Sequence, residues 1–263
     1  MMAKALGCSR LDVIAHPDSV IDYAQHESFH AMLQRRAARY PLAYILGSKE
    51  FYGLEIDVTP DVLIPRPETE ILVEETLKRV GRAARIVDVG TGSGAVAVAL
   101  AVSLPDAHVL AVDSSELALK VALANVQKYG VADRVSTMRG DLLEPLSTVG
   151  RGDDVPAQHW GEWDAVVSNP PYIPTSEIDS LQPEVRYEPR EALDGGPDGL
   201  AAYRRLLPQA RHLARLVAVE IGAGQSEAVA RIAAEAGWDR IETVRDLAGI
   251  ERVVLCWQAG GCR

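Results

Sequence analysis

The regular alternation of strand-like and helix-like segments after residue 85 is the feature that most limits how this chain can fold. Short apolar runs predict strands at 86–89, 109–112, 135–138, 163–167, 216–221, 241–244 and 252–257, and longer segments predict helices at 95–103, 116–129, 200–214 and 226–236. Such an alternation is typical of a mostly parallel sheet with helices on both faces. Only residues 245–251 join the last two strands, which predicts antiparallel pairing, since a parallel crossover needs about a dozen residues or more. The predicted fold is therefore α/β, a Rossmann-like, doubly wound sheet of seven strands with an antiparallel edge hairpin.

The first 60 residues differ from the rest and predict a small helical domain. An amphipathic helix is predicted before Pro41, and a strand or hairpin arm is predicted at 51–58 with Gly53 at its turn. We therefore divide the chain into an N-terminal helical domain with a β linker, residues 1–60, and a main domain, residues 61–263. A basic cluster on the predicted helix is interpreted as a solvated face rather than a docking surface; its members are Arg35, Arg36 and Arg39.

Composition limits the kinds of molecule that the protein can bind and the compartment in which it is expected. A formal charge of −10 in 263 residues disfavours binding along a nucleic-acid backbone. The three cysteines, Cys8, Cys256 and Cys262, show no metal-ligand spacing and predict reduced thiols. We find no metal-ligand cluster, no signal peptide and no membrane-spanning run, which together predict a cytoplasmic protein.

A glycine-rich turn between the first strand and helix of the main domain predicts a ligand site. Glycines let the backbone turn tightly and approach a ligand closely. The spacing, Gly-x-Gly-x-Gly, departs from the dinucleotide fingerprint, although such a turn taken alone could still hold a dinucleotide. The segment reads Asp88-Val89-Gly90-Thr91-Gly92-Ser93-Gly94.

Acids at the ends of the next two strands extend this site. Asp113 lies about twenty residues after the turn, where an acid can accept both hydroxyls of a ribose. Asp141 is predicted to accept a hydrogen bond from an adenine amine, with Leu142 near the ring. Each acid could be only a loop residue or a helix cap. Together they predict a pocket for an adenosine-bearing ligand without a pyrophosphate.

The sequence Asn169-Pro170-Pro171-Tyr172, at the end of another predicted strand, is the candidate catalytic motif. Asn169 and Pro170 both precede a proline, which holds them in extended geometry. The Asn169 side-chain oxygen and the Pro170 carbonyl are then free to accept from a planar –NH2 group, with the Tyr172 ring beside it. The alternative is a strand that simply ends in a Pro-Pro turn.

Two irregular segments flank this motif. Residues 150–162 are predicted to form a surface loop. Residues 173–199 directly follow Tyr172, and a loop of that length in a compact domain is usually functional, so it is predicted to cover the site.

These motifs, in this order, resemble class I S-adenosylmethionine-dependent methyltransferases and, more narrowly, the HemK/PrmC family of release-factor glutamine methyltransferases. The more specific matches are Pro65-Arg66-Pro67-Glu68-Thr69-Glu70 and Val185-Arg186-Tyr187-Glu188-Pro189, and a further match is Ala192-Leu193-Asp194-Gly195-Gly196. The family carries a longer N-terminal helical domain, so the resemblance also implies that this domain is shortened here.

The resemblance implies a reaction: methyl transfer from S-adenosylmethionine to the side-chain nitrogen (N5) of the glutamine in the Gly-Gly-Gln motif of peptide-chain release factors. It assigns cofactor contacts to Gly90–Gly94, Asp113, Leu142 and Asn169, and glutamine binding to Asn169–Tyr172. The partners it implies are release factors, with no direct nucleic acid and no membrane. The alternatives are an N6-adenine or other nucleic-acid amino methyltransferase, an inactive scaffold protein, and a dehydrogenase, which the glycine spacing disfavours.

Overall fold

The computed structural model describes residues 1–148 and 163–258 of the chain. The predicted loop at 150–162 and Cys262 lie outside the described residues. In the N-terminal region, four helices precede a two-stranded antiparallel hairpin: α1 (Met2–Leu6), α2 (Arg10–Ala15), α3 (Tyr23–Ala37), α4 (Leu42–Leu46), β1 (Ser48–Phe51) and β2 (Leu54–Asp57).

The main domain continues with α5 (Thr69–Leu77), β3 (Arg85–Val89), α6 (Ala95–Ser103), β4 (His108–Asp113), α7 (Glu116–Lys128), β5 (Val135–Arg139) and α8 (Glu144–Thr148). After the undescribed segment come β6 (Trp163–Ser168), α9 (Ala201–Arg211), β7 (Ala214–Glu220), α10 (Ser226–Glu235), β8 (Arg240–Arg245) and β9 (Glu251–Trp257).

The seven strands of the main domain form one sheet in the order β5-β4-β3-β6-β7-β9-β8. The first five strands in this order are parallel, while β9 pairs antiparallel with both β7 and β8. The predicted doubly wound sheet and its antiparallel edge hairpin are therefore confirmed.

Alternate residues of the strands supply the two halves of the hydrophobic core. On β3, Ile86 packs into the cluster beneath α5, α6 and α7, whereas Val87 packs into the cluster beneath α9 and α10. This division follows from strand geometry, because successive side chains point to opposite faces of a sheet. Both faces are covered, so the central parallel strands β3, β4, β6 and β7 are mostly apolar, whereas the edge strand β5 is more polar.

The N-terminal region also matches the prediction in outline. The Asp22 and Gln25 side chains cap the start of α3 in a capping box. Gly47, at φ 74°, ends α4, and Gly53, at φ 72°, lies in the turn of the β1–β2 hairpin. The sequence patterns did not predict α1 or α2, because neither helix contains a buried residue to give it an apolar stripe.

α5 ends at Leu77, because the Thr76 carbonyl accepts from the amides of both Arg79 and Val80 and tightens the chain into a turn. The predicted helix 200–214 is shorter than expected, since it ends at Arg211 and β7 begins at Ala214. None of the helices in the two described ranges is long and apolar enough to cross a membrane.

Candidate active site

The candidate site lies at the edge of the sheet where the parallel strands end. β3 pairs with β4 on one side and with β6 on the other, so the strand order reverses between β3 and β6. Doubly wound sheets open a crevice at such a point, beyond the carboxyl ends of the strands. A pocket of about 300 Å3 lies there, which we call the main pocket. Of the predicted site residues, its lining includes Gly90, Gly92, Asp113, Asp141, Leu142, Asn169 and Pro171.

Asp88 holds the glycine-rich turn from inside the protein. Its side chain is buried, and its Oδ2 accepts hydrogen bonds from Thr91 Oγ1 at 2.6 Å and from the Ala97 amide at 3.1 Å. Burial raises the pKa of Asp88 to about 7, because the charged form loses its hydration. Asp88 borders a smaller cavity of about 50 Å3 rather than the main pocket. It therefore shapes the turn, and direct contact with a cofactor stays a prediction.

The glycines of the turn divide into two kinds. A Cβ atom added at Gly90 or Gly92 would meet no atom within 4 Å, so the backbone there is open to the pocket. A Cβ atom at Gly94 would lie 3.0 Å from a side chain of α7, which makes its role one of helix packing. The side chains of Thr91 and Ser93 are buried. Only Gly90 and Gly92 of these five predicted cofactor residues line the main pocket.

Asp113 joins the end of β4 to the glycine-rich turn. Its Oδ2 accepts from the Gly92 amide and its Oδ1 from the Ser115 amide, both at 2.9 Å. Burial raises the pKa of Asp113, and these backbone hydrogen bonds oppose that rise. The carboxylate lines the main pocket while the backbone fixes its orientation. This geometry suits the predicted acceptor for ribose hydroxyls.

Asp141 has a partner that sequence reasoning did not identify. The carboxylate is exposed, and its Oδ2 lies 2.7 Å from Arg205 Nη2 on α9. Arg205 also lies 2.8 Å from Glu144 Oε1. Leu142, at φ 52°, is half-buried and lines the main pocket beside Asp141. The predicted contact of Asp141 with an adenine amine would have to share the carboxylate with Arg205.

Asn169 is held by a residue from α5. Its Nδ2 donates a hydrogen bond to Thr69 Oγ1 at 3.0 Å. Within the two described ranges, no group donates to Asn169 Oδ1 or to the Pro170 carbonyl oxygen. Both acceptors are therefore available, as the motif predicts.

A second pocket, of about 210 Å3, lies on the other side of Asn169; we call it the side pocket. Asn169, Leu63 and Ala192 line both the main pocket and the side pocket. The side pocket is mostly apolar, with Arg66 and the backbone of the candidate motif as its polar parts. Its remaining lining residues are Pro170, Tyr172, Ile173, Leu181, Val185 and Leu193.

The backbone of Tyr172 is fixed by close packing. Gln225 Nε2 donates to the Tyr172 carbonyl oxygen at 2.9 Å. A Cβ atom at Gly199 would lie 2.3 Å from that oxygen, and one at Gly195 would lie 2.8 Å from the Tyr172 Cα. The Tyr172 hydroxyl lies 3.5 Å from Glu220 Oε1, and burial raises its pKa to about 12, so the ring stays neutral.

Residues 173–199 form a wall of the side pocket, and their predicted role in covering the site stays a prediction. The segment contains three short 3-10 helices, Thr175–Ser180, Val185–Tyr187 and Arg190–Ala192. It is anchored by Glu188, whose buried carboxylate accepts from the Ile64 amide at 3.0 Å and pairs with Arg66. This ion pair joins two motifs of the family resemblance, residues 65–70 and residues 185–189.

The basic cluster of α3 is largely exposed, as predicted for a solvated face, and it also makes contacts within the protein. Arg36 and Arg39 lie 2.9 and 2.8 Å from the two carboxylate oxygens of Glu184. Arg35 stacks over the Tyr40 ring, with its guanidinium carbon 4.3 Å from the ring centroid. Arg36 and Arg39 therefore connect α3 to the segment 173–199.

Sequence reasoning missed several residues that hold the site. The end of β7 carries an acid, as do the ends of β3 and β4, so this signal could have identified Glu220. The motifs of the family resemblance contain Arg66, Thr69 and Glu188 but gave none of them a role, since each acts on a residue far along the chain. The missed residues are Arg66, Thr69, Glu188, Gln225 and Glu220.

The main pocket fits S-adenosylmethionine. Its open glycine backbone admits a close ligand, and Asp113 offers a fixed acceptor. The acids of its lining suit a cationic group, since they include Asp61, Asp113 and Glu191. The adjoining acceptor pair of Asn169 and Pro170 suits an –NH2 group that enters from the side pocket.

The fold and this site define a class I S-adenosylmethionine-dependent methyltransferase. Residues 1–47 match the family model of the PrmC N-terminal domain, and residues 67–186 match that of the methyltransferase small domain. The chain is 43% identical over 258 residues to the release factor glutamine methyltransferase of Geobacter sulfurreducens, covering 97% of this chain and 86% of that protein. It is 44% identical over 264 residues to the one of Moorella thermoacetica, covering 98% and 89%. The chain belongs to the release factor glutamine methyltransferase family.

Solved structures share the fold at low sequence identity. The catalytic domain of hMettl16 in complex with the MAT2A 3'UTR hairpin 1 has a TM-score of 0.63 at 14% identity, covering 88% of this chain and 91% of that one. The N-terminal domain of human METTL16 in complex with SAH has a TM-score of 0.53 at 15% identity, covering 78% and 76%. These likenesses extend to the fold alone.

Proposed function

We propose that this protein transfers a methyl group from S-adenosylmethionine to the side-chain amide nitrogen (N5) of the glutamine in the Gly-Gly-Gln motif of peptide-chain release factors. The observation that carries the proposal is the position of Asn169 at the border of the two pockets, with its Oδ1 available. Membership of the family supports the choice of substrate. The proposal also implies a cytoplasmic enzyme, because peptide-chain release takes place on ribosomes there.

The side pocket suits a glutamine side chain. Its apolar lining, which includes Leu181, Val185 and Leu193, can pack against the methylene groups. The amide then reaches the acceptors at the border of the main pocket. The Tyr172 ring is available to pack against the amide plane.

Orientation carries much of the proposed catalysis. An amide nitrogen is a poor nucleophile because its lone pair is delocalised into the carbonyl. Asn169 Oδ1 and Pro170 O accept the two N–H groups of the substrate and aim its nitrogen at the main pocket. The bound cofactor supplies an electrophilic methyl group on a sulfonium. The two acceptors bind the substrate more strongly as positive charge develops on the nitrogen. The nitrogen can release its proton after transfer, since an N-protonated amide is very acidic.

The reaction is tested by incubating the protein with labelled S-adenosylmethionine and a release factor, and by locating the label with mass spectrometry. A matched release factor in which the Gly-Gly-Gln glutamine is replaced by alanine is the control. The label should appear on that glutamine alone and be absent from the control. Label in adenine-containing RNA or DNA, with none in the release factor, would contradict the proposal and favour a nucleic-acid amino methyltransferase.

A further inference from the structure

Glu220, the last residue of β7, is a buried carboxylate with an unused oxygen. The residue is 2% exposed. Oε1 lies 3.5 Å from the Tyr172 hydroxyl, while Oε2 has no hydrogen-bond partner among the residues of the described ranges. Buried charges are normally paired or hydrogen-bonded, because desolvation without compensation is costly. We therefore expect this buried carboxylate to have a function in the site.

Thr69 lies between this carboxylate and the candidate catalytic residue. It is buried at the start of α5, and its Oγ1 accepts a hydrogen bond from Asn169 Nδ2 at 3.0 Å. A hydroxyl has one hydrogen to donate, and the Thr69 hydroxyl is close enough to Glu220 to lower the pKa of that carboxylate, although the two side chains form no hydrogen bond in this structure. The hydrogen bond from Asn169 to Thr69 and the electrostatic interaction of Thr69 with Glu220 connect the three side chains.

Building on the proposed methyl transfer, we propose that Glu220 is a positioning residue that sets the orientation of the Asn169 amide through Thr69. The ionised carboxylate can only accept, so it takes the Thr69 hydrogen. Thr69 Oγ1 is then left to accept from Asn169 Nδ2. The Asn169 oxygen is thereby turned away from Thr69 and remains available to the substrate.

The orientation matters because the two ends of an asparagine amide have nearly the same shape. If the amide turned over, it would present its own –NH2 to the –NH2 of the substrate, and the acceptor would be lost. A protonated Glu220 makes this possible. It can donate to Thr69 Oγ1, which frees the Thr69 hydrogen to bind the Asn169 oxygen. The proposed active form therefore has Glu220 ionised.

The surroundings of Glu220 bring its ionisation near neutral pH. Burial first, and the Glu68 charge second, raise the pKa of Glu220 to about 7 against the opposing effects of Thr69, Arg252 and Tyr172. Tyr203 also lies against this residue and donates to its backbone oxygen at 2.8 Å. The fraction of enzyme with Glu220 ionised, and with it the rate of methyl transfer, should increase as pH rises through this range.

The experiment measures single-turnover methyl transfer to a release factor at saturating cofactor, from about pH 5.5 to about pH 8.5. The wild-type rate should rise with an inflection near the pKa of Glu220. Glu220→Gln should lower the rate about tenfold to a hundredfold and lose the inflection, while its affinity for S-adenosylhomocysteine stays unchanged. Glu75→Gln, which changes a buried carboxylate on the same helix as Thr69, is the matched control and should keep the inflection.

A second pair of variants tests the link from Glu220 through Thr69 to Asn169 if Glu220→Gln does not fold. Thr69→Val removes the hydroxyl at nearly constant size and should be about as slow as Glu220→Gln. Thr69→Ser keeps the hydroxyl and should restore the rate to within a few-fold of wild type. A wild-type rate and inflection in Glu220→Gln, or equal rates for the two Thr69 variants, would overturn the inference. A wild-type enzyme that labels no release factor at any pH would instead contradict the proposed function.

Discussion

The Arg66 guanidinium pairs with the carboxylate of Glu188, which lies 122 residues further along the chain. The other oxygen of Glu188 accepts from the Ile64 amide, so one buried carboxylate serves two donors. This contact fixes the wall formed by residues 173–199 against the segment that enters α5. The side pocket is built from both, since Arg66 and Val185 line it together.

Removal of the Glu188 carboxylate should destabilise the protein. Glu188→Ala leaves the partly buried Arg66 and the Ile64 amide without their acceptor, and we expect a loss of about 3 kcal/mol in the free energy of unfolding. Urea denaturation measures this change. Glu235→Ala, at an exposed position at the end of α10, is the control and should change stability by less than about 0.5 kcal/mol. Equal effects for the two variants would show that the buried pair does not stabilise the fold.

Asp113 should control the affinity for the cofactor. Asp113→Ala removes a carboxylate that the Gly92 and Ser115 amides orient, and we expect binding of S-adenosylhomocysteine to weaken by about tenfold to a hundredfold. Calorimetry measures the affinity. Asp133→Ala, which removes an exposed acid outside the pocket, should bind like wild type. Unchanged affinity in Asp113→Ala would rule out its predicted contact with the ribose.

Asn169 should control the rate of methyl transfer rather than cofactor binding. Asn169→Ala removes one of the two proposed acceptors, which we expect to lower the single-turnover rate about a hundredfold or more. Asn169→Asp keeps the size and an acceptor oxygen but adds a negative charge beside the sulfonium. It should also be slow, because that charge stabilises the ground state and misaligns the amide. Rates within a few-fold of wild type in both variants, measured with folded protein, would mean that Asn169 is only a turn residue.

Gly199 should be far less tolerant of a side chain than another glycine with similar backbone geometry. Gly199 has φ 75° and Gly249 has φ 81°, so alanine strains the backbone at either position by about 1–2 kcal/mol. At Gly199 the new Cβ would also lie 2.3 Å from the Tyr172 oxygen, whereas at Gly249 it would meet nothing within 4 Å. We expect Gly199→Ala to lose about 1–3 kcal/mol more than Gly249→Ala in urea denaturation, and to lose activity as Tyr172 shifts. Similar stabilities and rates for the two variants would contradict this.

Asp88 should make the protein less stable as pH rises from about 4 to about 7. Because burial raises its pKa to about 7, the folded state holds a proton in this window that the unfolded state has already released. Stability therefore falls with rising pH, by at most about 1.4 kcal/mol per pH unit from this group. Asp88→Asn should give a shallower fall between pH 5 and pH 7, as measured by urea denaturation at each pH.

Glu220 contributes to the pH dependence with the same sign, so some of the fall should remain in Asp88→Asn. Asp133→Asn, at an exposed position, is the control and should keep the wild-type slope. An unchanged slope in Asp88→Asn would show that this carboxylate is already ionised in the folded state near pH 5.

The strands, helices and turns that were predicted correctly depend on residues that are close together in the sequence. The strands and helices of the main domain follow from the period of their apolar residues, which local geometry sets. The glycine-rich turn and the Asn169–Tyr172 motif are also local, since glycine and proline restrict the backbone wherever they occur. The order of these motifs along the chain was enough to place Gly90, Asp113 and Asn169 at one edge of the sheet, because parallel strands end together there.

Only the tertiary structure decided which side chains hold those residues in position. Thr69 lies 100 residues from Asn169, and Arg66 lies 122 residues from Glu188. Such pairs depend on how α5 and the segment 173–199 pack against the sheet, and no local period or turn signal encodes that packing. The same holds for Glu220, an acid at a strand end by sequence. Burial on all sides turned it into a carboxylate whose charge bears on the orientation of Asn169.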